Sequence, residues 1–326
     1  MKIENCPGCL KQGFSSFCPR CIRVLFDGRN IDPIIRIDRE IEDQTLSQRE
    51  TRLSISGVQR KHSVIFEGNT LKIVVSGGEY ILKPVPVGRL ENLDFVPANE
   101  HLTMQIAIQV FKIKTAECGL LFSDSGEQYY ITKRFDREPS GKKLLMEDFA
   151  QIAGKTEEKE GINYKYSYSY EKLAGLIKKF TTAPKIEVEN FFRLVVFNYL
   201  FSNGDAHIKN FSIIEDSATG GRCLSPAYDL LNTGIHVPGE SDMALVLFEG
   251  DFMTESFRAG SKYTKEDFEF FARKTEINSK RFSTIYEPLL KMTEKVSDMI
   301  SRSFMSDDLK AIYFSKYLER LKRLEK

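Results

Sequence analysis

The chain has 326 residues, of which 41% are hydrophobic and 29% are charged, so it is long enough for about two domains and can bury a substantial core. Its 47 Lys and Arg residues nearly balance its 46 Asp and Glu residues, and a net charge of +1 gives no overall signature of nucleic-acid binding. The opening MKIENCPGC lacks the apolar stretch of a secretory signal, and no run of about 18 apolar residues predicts a membrane span, so we expect a cytoplasmic protein.

The first 28 residues contain four of the six cysteines, arranged as two C-x-x-C pairs with eight residues between them: Cys6, Cys9, Cys18 and Cys21. In a reducing compartment two such pairs can give four thiolates to one tetrahedral ion. The pattern therefore predicts a four-cysteine zinc knuckle over residues 1–28, with a structural Zn²⁺. Two disulfides, or a redox pair, are the alternative, which the expected cytoplasmic location disfavours. Cys118 and Cys223 are isolated and are expected to be packing residues.

Residues 29–137 are predicted to form a β-rich lobe, which begins with an irregular connecting segment over residues 29–50. Short runs rich in β-branched and aromatic residues alternate with Gly-Asn and Gly-Gly pairs, which is typical of an antiparallel meander. The runs are Ser63–Phe66, Leu71–Val75 and Tyr80–Leu82. A helix over 99–110 follows, and then a hairpin that turns at Ser125-Gly126.

Residues 138–326 are predicted to form a helical lobe. The segment Tyr170–Phe180 is amphipathic, and Val188–Phe201 is apolar enough to be a buried helix. Helical character continues over Glu266–Thr275, 281–303 and 307–324. Strands followed by helices predict an α+β fold.

The densest group of polar residues follows the predicted buried helix, at residues 203–212. There Asp205 and Asn210 are five residues apart, which is the spacing of the protein-kinase catalytic loop. In that loop the aspartate accepts the proton of the substrate hydroxyl, and the asparagine holds Mg²⁺. Nineteen residues further on, Asp229 could supply the second Mg²⁺ ligand. Alternatively, these residues are ordinary turn formers, because Asn, Gly and Asp cluster in loops for backbone reasons alone.

Two further features fit phosphoryl transfer. Lys83 ends an apolar strand, where it could reach the phosphates of ATP, and Glu100 on the next helix could pair with it. Alternatively, Lys83 leaves the strand into solvent and Asn99 caps the helix. The segment 54–61 is a small glycine-containing loop ahead of the first strands, where a loop covering phosphates belongs, although it lacks the G-x-G-x-x-G pattern.

Taken together, these segments resemble the HipA-type serine/threonine kinase toxins over about residues 51–320. The resemblance lies in SISGVQRK (54–61), ILKP (81–84), NEH (99–101), KRFDR (133–137), GDAHIKNFS (204–212) and PAYDL (226–230). It implies a bilobal protein-kinase-like fold that binds ATP and Mg²⁺ between a β-rich N-lobe and a helical C-lobe. Only about 50 residues precede the serine loop, so the chain is similar to the short HipT-like form, which lacks an N-terminal subdomain.

The resemblance also assigns roles to residues. It implies that Asp205 is the catalytic residue, that Asn210 and Asp229 bind Mg²⁺, and that Lys83 binds ATP phosphate. Further residues are placed at the nucleotide site: Phe135 beside the adenine, Ser54, Ser56 and Gly57 in the serine loop, Glu100 beside Lys83, and His207 in the catalytic run. Ser54 matches the serine that such kinases autophosphorylate, and Ser56 makes a second candidate. The family's full-length member has a glutamate two residues before the phenylalanine, where this chain has Lys133.

The family further implies the partners. We expect a HipB-like DNA-binding antitoxin, a separately encoded antitoxin that resembles the missing subdomain, and a protein substrate such as an aminoacyl-tRNA synthetase. DNA would be contacted only through the antitoxin. Two other functions remain open: a zinc-knuckle regulatory module whose kinase lobe only binds nucleotide, and a kinase of small molecules.

Overall fold

The computed structural model describes residues 2–37, 60–88, 90–138 and 140–326, and a six-stranded sheet organises its first half. The strands are β1 Arg36–Ile37, β2 His62–Glu67, β3 Thr70–Ile73, β4 Tyr80–Lys83, β5 Cys118–Phe122 and β6 Gln128–Lys133. Their spatial order is β1-β3-β2-β4-β6-β5, and every pair is antiparallel except β1 with β3. Gly68, Gly77 and Gly126 adopt positive φ in the connecting turns, as the predicted meander requires.

The two faces of this sheet bury different sets of side chains, because successive residues of a strand point to opposite sides. On one face, Leu120, Phe122 and Tyr130 join the main core of the protein. On the other, Leu121 and Tyr129 pack into a second core that includes the four N-terminal cysteines and helix α1, Pro19–Phe26. We call residues 2–28 the cysteine module; it covers the outer face of the sheet.

Helix α2, Val96–Gln109, packs against β5 and β6 on the inner face of the sheet. Its residues from Val96 to Ala107 are all buried, which explains why the helix has no polar face. The helix begins three residues earlier than the sequence predicted, with Pro97 in its first turn, where a missing N–H costs nothing. Asn99 is therefore inside the helix and does not cap it; its side chain donates to Asn232 O at 2.8 Å.

The second half is largely helical. Its helices are α3 Phe149–Ile152, α4 Glu157–Glu160, α5 Tyr170–Phe180, α6 Pro184–Leu200, α7 Glu255–Gly260, α8 Lys265–Lys274, α9 Ser279–Leu290, α10 Thr293–Ser301 and α11 Asp307–Leu324. Helix α6 is the buried helix of the prediction, and the stretch 281–303 divides into α9 and α10. A three-stranded sheet that was not predicted, β7 Met146–Asp148, β8 Ser212–Glu215 and β9 Arg222–Leu224, faces the six-stranded sheet across a cleft.

This arrangement confirms the α+β fold class. The domain boundaries at residues 28 and 137 stay predictions. Among the described residues, no helix is both long and apolar enough to cross a membrane.

Candidate active site

A buried ion pair lies at the end of β4. Lys83 is 3% exposed and Glu100 is fully buried, and the lysine Nζ donates to Glu100 Oε1. The same Nζ donates to Asp229 Oδ1 at 2.5 Å and lies 5.1 Å from the centre of the Tyr130 ring. Two elements far apart in the sequence therefore converge on one lysine at the floor of the cleft.

The charges at this point are strongly coupled. Burial lowers the pKa of Lys83, but Asp229 and Glu100 more than compensate and leave it above its ordinary value. Burial raises the pKa of Asp229, but Lys61 and Lys83 hold it well below its ordinary range. For Glu100, burial raises the pKa and Lys83 only partly opposes this. The direct contact of its oxygen with the charged ammonium group of Lys83 favours the ionised form of Glu100.

Asp229 has an unusual backbone. Its φ is +55°, in the left-handed region that costs a non-glycine residue about 1–2 kcal/mol. Residues held in this way are concentrated at functional sites, where surrounding contacts fix them. Here Lys61 Nζ contacts Asp229 Oδ2 at 2.7 Å, and Asn203 Nδ2 donates to the Asp229 carbonyl at 3.4 Å.

The end of helix α6 shapes the loop that carries Asp205. Asn203 N donates to Asn198 O at 2.9 Å, and Gly204 N donates to Thr233 Oγ1 at 2.8 Å. Asn210 then closes the loop, because its Nδ2 donates to the carbonyl of Asp205 at 3.0 Å. The predicted five-residue spacing thus forms a compact loop, and Asn203 also bonds to the backbone of Asp229.

Tyr166 is a site residue that the sequence analysis missed. Its hydroxyl donates to Asp205 Oδ1, and its ring packs edge-on against His207 with the ring centres 5.3 Å apart. As a result the Asp205 side chain is only 5% exposed. The alternation of tyrosines at 164, 166 and 168 was a visible signal, although no spacing rule links it to Asp205.

His207 N donates to the Asp205 carbonyl at 2.8 Å, but the imidazole and the carboxylate are too far apart for a direct hydrogen bond. The closest approach, from Nε2 to Oδ1, is 3.9 Å. Burial lowers the pKa of His207 to about 4, so the ring is neutral at pH 7. Its expected role in orienting Asp205 stays a prediction.

The cleft beside these residues has a volume of about 330 Å³, which lies within the range of small-molecule sites. Lys83, Asp229, Lys61 and Phe135 are among its lining residues. The ring of Phe135 faces that of Tyr228 at 5.9 Å, which gives the cleft an aromatic wall. Lys133 also lines the cleft and pairs with Asp27 at 2.5 Å.

The four cysteines of the cysteine module form one buried cluster. Their sulfur atoms all lie within 4.8 Å of one another, and all four are free thiols. Cys9 Sγ and Cys18 Sγ are 3.6 Å apart, close to the roughly 3.8 Å that a tetrahedron with Zn–S bonds of about 2.3 Å requires. Cys18 N donates to Cys6 Sγ at 3.1 Å, the kind of contact that orients a thiolate ligand. The cluster therefore fits a single metal ion.

Ser54, Ser56 and Gly57 lie outside the described residues, so their place relative to the cleft stays a prediction. Among the described residues, the structure brings Lys83, Glu100 and Asp229 into contact. It places Asp205 and Asn210 in one loop that is hydrogen-bonded to the Asp229 backbone through Asn203. A lysine, two separate carboxylates and an amide in this arrangement can bind a phosphorylated nucleotide and a hard divalent cation.

Comparison with known proteins identifies the family of the chain. Residues 53–298 match the family model described as the HipA-like C-terminal domain. The chain is 27% identical to a protein of Haemophilus influenzae that is named as a kinase, over 90% of this chain and 88% of that protein. It is 25% identical to the serine/threonine-protein kinase toxin HipA of Shewanella oneidensis, over 64% of this chain and 51% of that protein.

The fold is similar as well. The structure of Shewanella oneidensis HipA, solved in a complex with HipB and operator DNA, matches 88% of this chain and 70% of its own chain with a TM-score of 0.65 at 20% identity. Because the family model covers most of the chain, including the segments that carry the cleft and its loops, the resemblance seen in the sequence is confirmed. The chain belongs to the family of HipA-type kinases.

Proposed function

We propose that this protein is an ATP- and Mg²⁺-dependent serine/threonine protein kinase that acts in the cytoplasm as the toxin of a toxin–antitoxin system. The observation that carries the proposal is the contact of Lys83 with both Glu100 and Asp229 at the floor of the cleft. In protein kinases a lysine–glutamate pair of this kind and a metal-binding aspartate must both be in place for catalysis.

In the proposed kinase, each residue of the site has a separate role. Lys83 binds the α- and β-phosphates, and Glu100 keeps the ammonium group aimed into the cleft. Asn210 and Asp229 would hold Mg²⁺, which neutralises charge that develops on the transferring phosphoryl group. Asp205 orients the substrate hydroxyl and accepts its proton. The aromatic wall at Phe135 flanks the adenine, where Lys133 replaces the glutamate of relatives and leaves recognition to the backbone.

We propose that autophosphorylation of the serine loop, residues 54–61, inhibits the kinase. Phosphate on Ser54 or Ser56 adds nearly two negative charges beside the site for ATP phosphates, which favours ejection of the loop. The expected substrate is a protein of translation, for example an aminoacyl-tRNA synthetase. The expected partners are a HipB-like DNA-binding protein, as in the Shewanella complex, and a separately encoded subdomain-like antitoxin.

The cysteine module is proposed to hold a structural Zn²⁺. Four buried thiols would occupy all four positions of a tetrahedral ion, which is the donor set of a closed structural site rather than a catalytic one. Its ligands would be Cys6, Cys9, Cys18 and Cys21.

The test is phosphate transfer by the purified protein with ATP and Mg²⁺, read by mass spectrometry on the protein itself and on a cell lysate. We expect phosphate on Ser54 or Ser56, and none with Asp205→Ala. The matched control is Asp124→Ala, which removes an exposed aspartate from the turn between β5 and β6 and should leave transfer unchanged. Absence of phosphate on both the protein and the lysate would refute the proposal.

A further inference from the structure

Four consecutive carbonyl groups of the cysteine module accept hydrogen bonds from the rest of the protein. Pro7 O accepts from Leu120 N of β5 at 2.9 Å. Gly8 O and Cys9 O accept from two side chains of helix α2: His101 Nε2 at 3.0 Å and Gln109 Nε2 at 2.9 Å. Leu10 O accepts from Arg302 NH1 at 3.2 Å. The backbone of residues 7–10 is thus hydrogen-bonded to three separate parts of the protein: strand β5, helix α2 and Arg302.

One of these donors is next to a proposed nucleotide-site residue. His101 follows Glu100 directly in helix α2, and both side chains are fully buried. Burial lowers the pKa of His101 to about 4, so the ring is neutral, and the carbonyl partner requires the proton on Nε2. Adjacent helix residues point about 100° apart. One therefore faces Lys83 and the other faces the cysteine module, and a shift of the helix at either side moves both contacts.

The strand that carries the lysine rests on the same module. Tyr80 and Leu82 of β4 belong to the core that contains the four cysteines, and the Tyr80 hydroxyl donates to Leu25 O at 3.0 Å. Lys83 is the next residue along the strand and points to the opposite face. Both members of the Lys83–Glu100 pair therefore have a neighbouring residue anchored in the cysteine module.

The conformation of residues 7–10 depends on how the cysteine side chains converge. A Cβ atom on Gly8 would lie 2.6 Å from Cys21 Sγ, so the two cysteine pairs are in direct contact at this glycine. Leu10 has a φ of +61° and donates its N–H to Cys6 O at 2.9 Å, which closes the turn. An ion that draws the four thiolates together would therefore fix the conformation in which this turn presents its carbonyl groups to helix α2.

We propose that the metal-loaded cysteine module supports the Lys83–Glu100 pair through the hydrogen bond between Gly8 O and His101, which makes His101 a positioning residue for nucleotide binding. The proposal rests on the proposed kinase function, since it deepens the regulation of that same site. Occupancy of the cysteine site by Zn²⁺ then sets the affinity of the cleft for ATP, although the two sites share no ligand. A module that only covered the sheet would affect overall stability without a specific effect on ATP.

The experiment compares two variants that each remove one donor from helix α2 to the module. His101→Phe removes the bond beside Glu100, whereas Gln109→Leu removes the bond two turns further along. A third variant, His101→Gln, keeps an N–H donor. For each protein, the measurements are zinc content, affinity for Mg²⁺–ATP by titration, and hydrogen exchange of Val96–Gln109, with the wild type also measured after chelation of zinc.

We expect every variant to keep one zinc per chain. His101→Phe should bind ATP about five- to tenfold more weakly, the effect of about one lost buried hydrogen bond, with faster exchange over the first two turns of helix α2. Gln109→Leu should bind ATP as the wild type does, and His101→Gln should recover most of the loss. Chelation of the wild type should weaken ATP binding at least as much as His101→Phe does.

Three outcomes would overturn the proposal: a protein that binds no zinc, unchanged ATP affinity in zinc-loaded His101→Phe, or equal losses in His101→Phe and Gln109→Leu. If His101→Phe fails to fold, the chelated wild type decides, because unchanged ATP affinity and helix exchange without zinc also contradict the proposal. Failure of the proposed kinase function is distinguishable, since the wild type would then bind ATP in a zinc-dependent way and transfer no phosphate.

Discussion

Replacement of Glu100 by glutamine tests the buried ion pair directly. The glutamine keeps a carbonyl oxygen where Glu100 Oε1 accepts from Lys83, but removes one negative charge from a fully buried position. Complete loss of a buried partner costs about 3–5 kcal/mol. Because Lys83 keeps Asp229 at 2.5 Å, we expect the smaller loss of a charged hydrogen bond. That loss is about 2 kcal/mol, or about thirtyfold in the unfolding equilibrium constant.

The assay is urea unfolding at pH 7 of four proteins: wild type, Glu100→Gln, Lys83→Met and the double variant. The double-mutant cycle isolates the pairwise free energy, which we expect to be about 1–3 kcal/mol for groups in direct contact. The matched control is Glu189→Gln, which removes the charge from a more exposed pair with Arg281 and should cost clearly less than Glu100→Gln does. A coupling free energy below about 0.5 kcal/mol would show that the two charges do not depend on each other, and would refute the reasoning.

Three further predictions concern the histidines, the cysteine module and Asp205. Burial lowers the pKa of three histidines from 6.5 to about 4: His101, His207 and His236. The unfolded chain therefore binds more protons between these values, so stability is complete above pH 6.5 and falls as the pH drops towards 4. The loss is about 2 kcal/mol per histidine at pH 5, measured by urea unfolding across this range, and flat stability from pH 7 to 5 would contradict it. Gly8→Ala should weaken zinc binding at least about tenfold, because the new methyl group would lie 2.6 Å from Cys21 Sγ. Gly175→Ala, where the methyl group meets nothing within 4 Å, is its control in a competition titration. Tyr166→Phe frees Asp205 Oδ1 from a resident donor and should lower KM for a protein substrate about fivefold without changing KM for ATP. A fall in kcat would instead mean that the phenol orients the base.

Local patterns carried most of what the sequence predicted correctly. Helices α5 and α11 were predicted with their observed limits, since each begins after a serine whose side chain caps it and each buries one face. The pairing of Lys83 with Glu100 was expected from the order of a strand and a helix. The three-stranded sheet was missed because strands of three or four residues are too short to show a period of two.

Contacts across the fold explain the rest of what was missed. Tyr166 meets Asp205 over 39 residues, and His101 meets Gly8 over 93 residues, so no local spacing rule connects either pair. Helix α2 began earlier than predicted because it is buried on all sides, which removes the polar–apolar alternation that marks a helix end. The correct inference from such a helix is that several elements surround it, one of which is the cysteine module.

In the described structure, donors from the same chain contact each acidic group of the site. Asp229 accepts from Lys61 and Lys83, and Asp205 accepts from Tyr166. The two lysines balance Glu100 and Asp229, so this group of four carries no net charge before nucleotide binds. Under the proposed function, Mg²⁺–ATP, which is itself anionic, would bind at Lys83 and bring a cation to Asp229. These ionic contacts would replace the existing ones, so no unpaired charge would be buried. Glu100 would keep its contact with Lys83 throughout, because the Lys83 ammonium group must stay in place while Asp229 replaces its lysine contacts with a cation. We therefore expect the support of helix α2 by the cysteine module to influence nucleotide affinity in addition to the loops of Asp205 and Asp229.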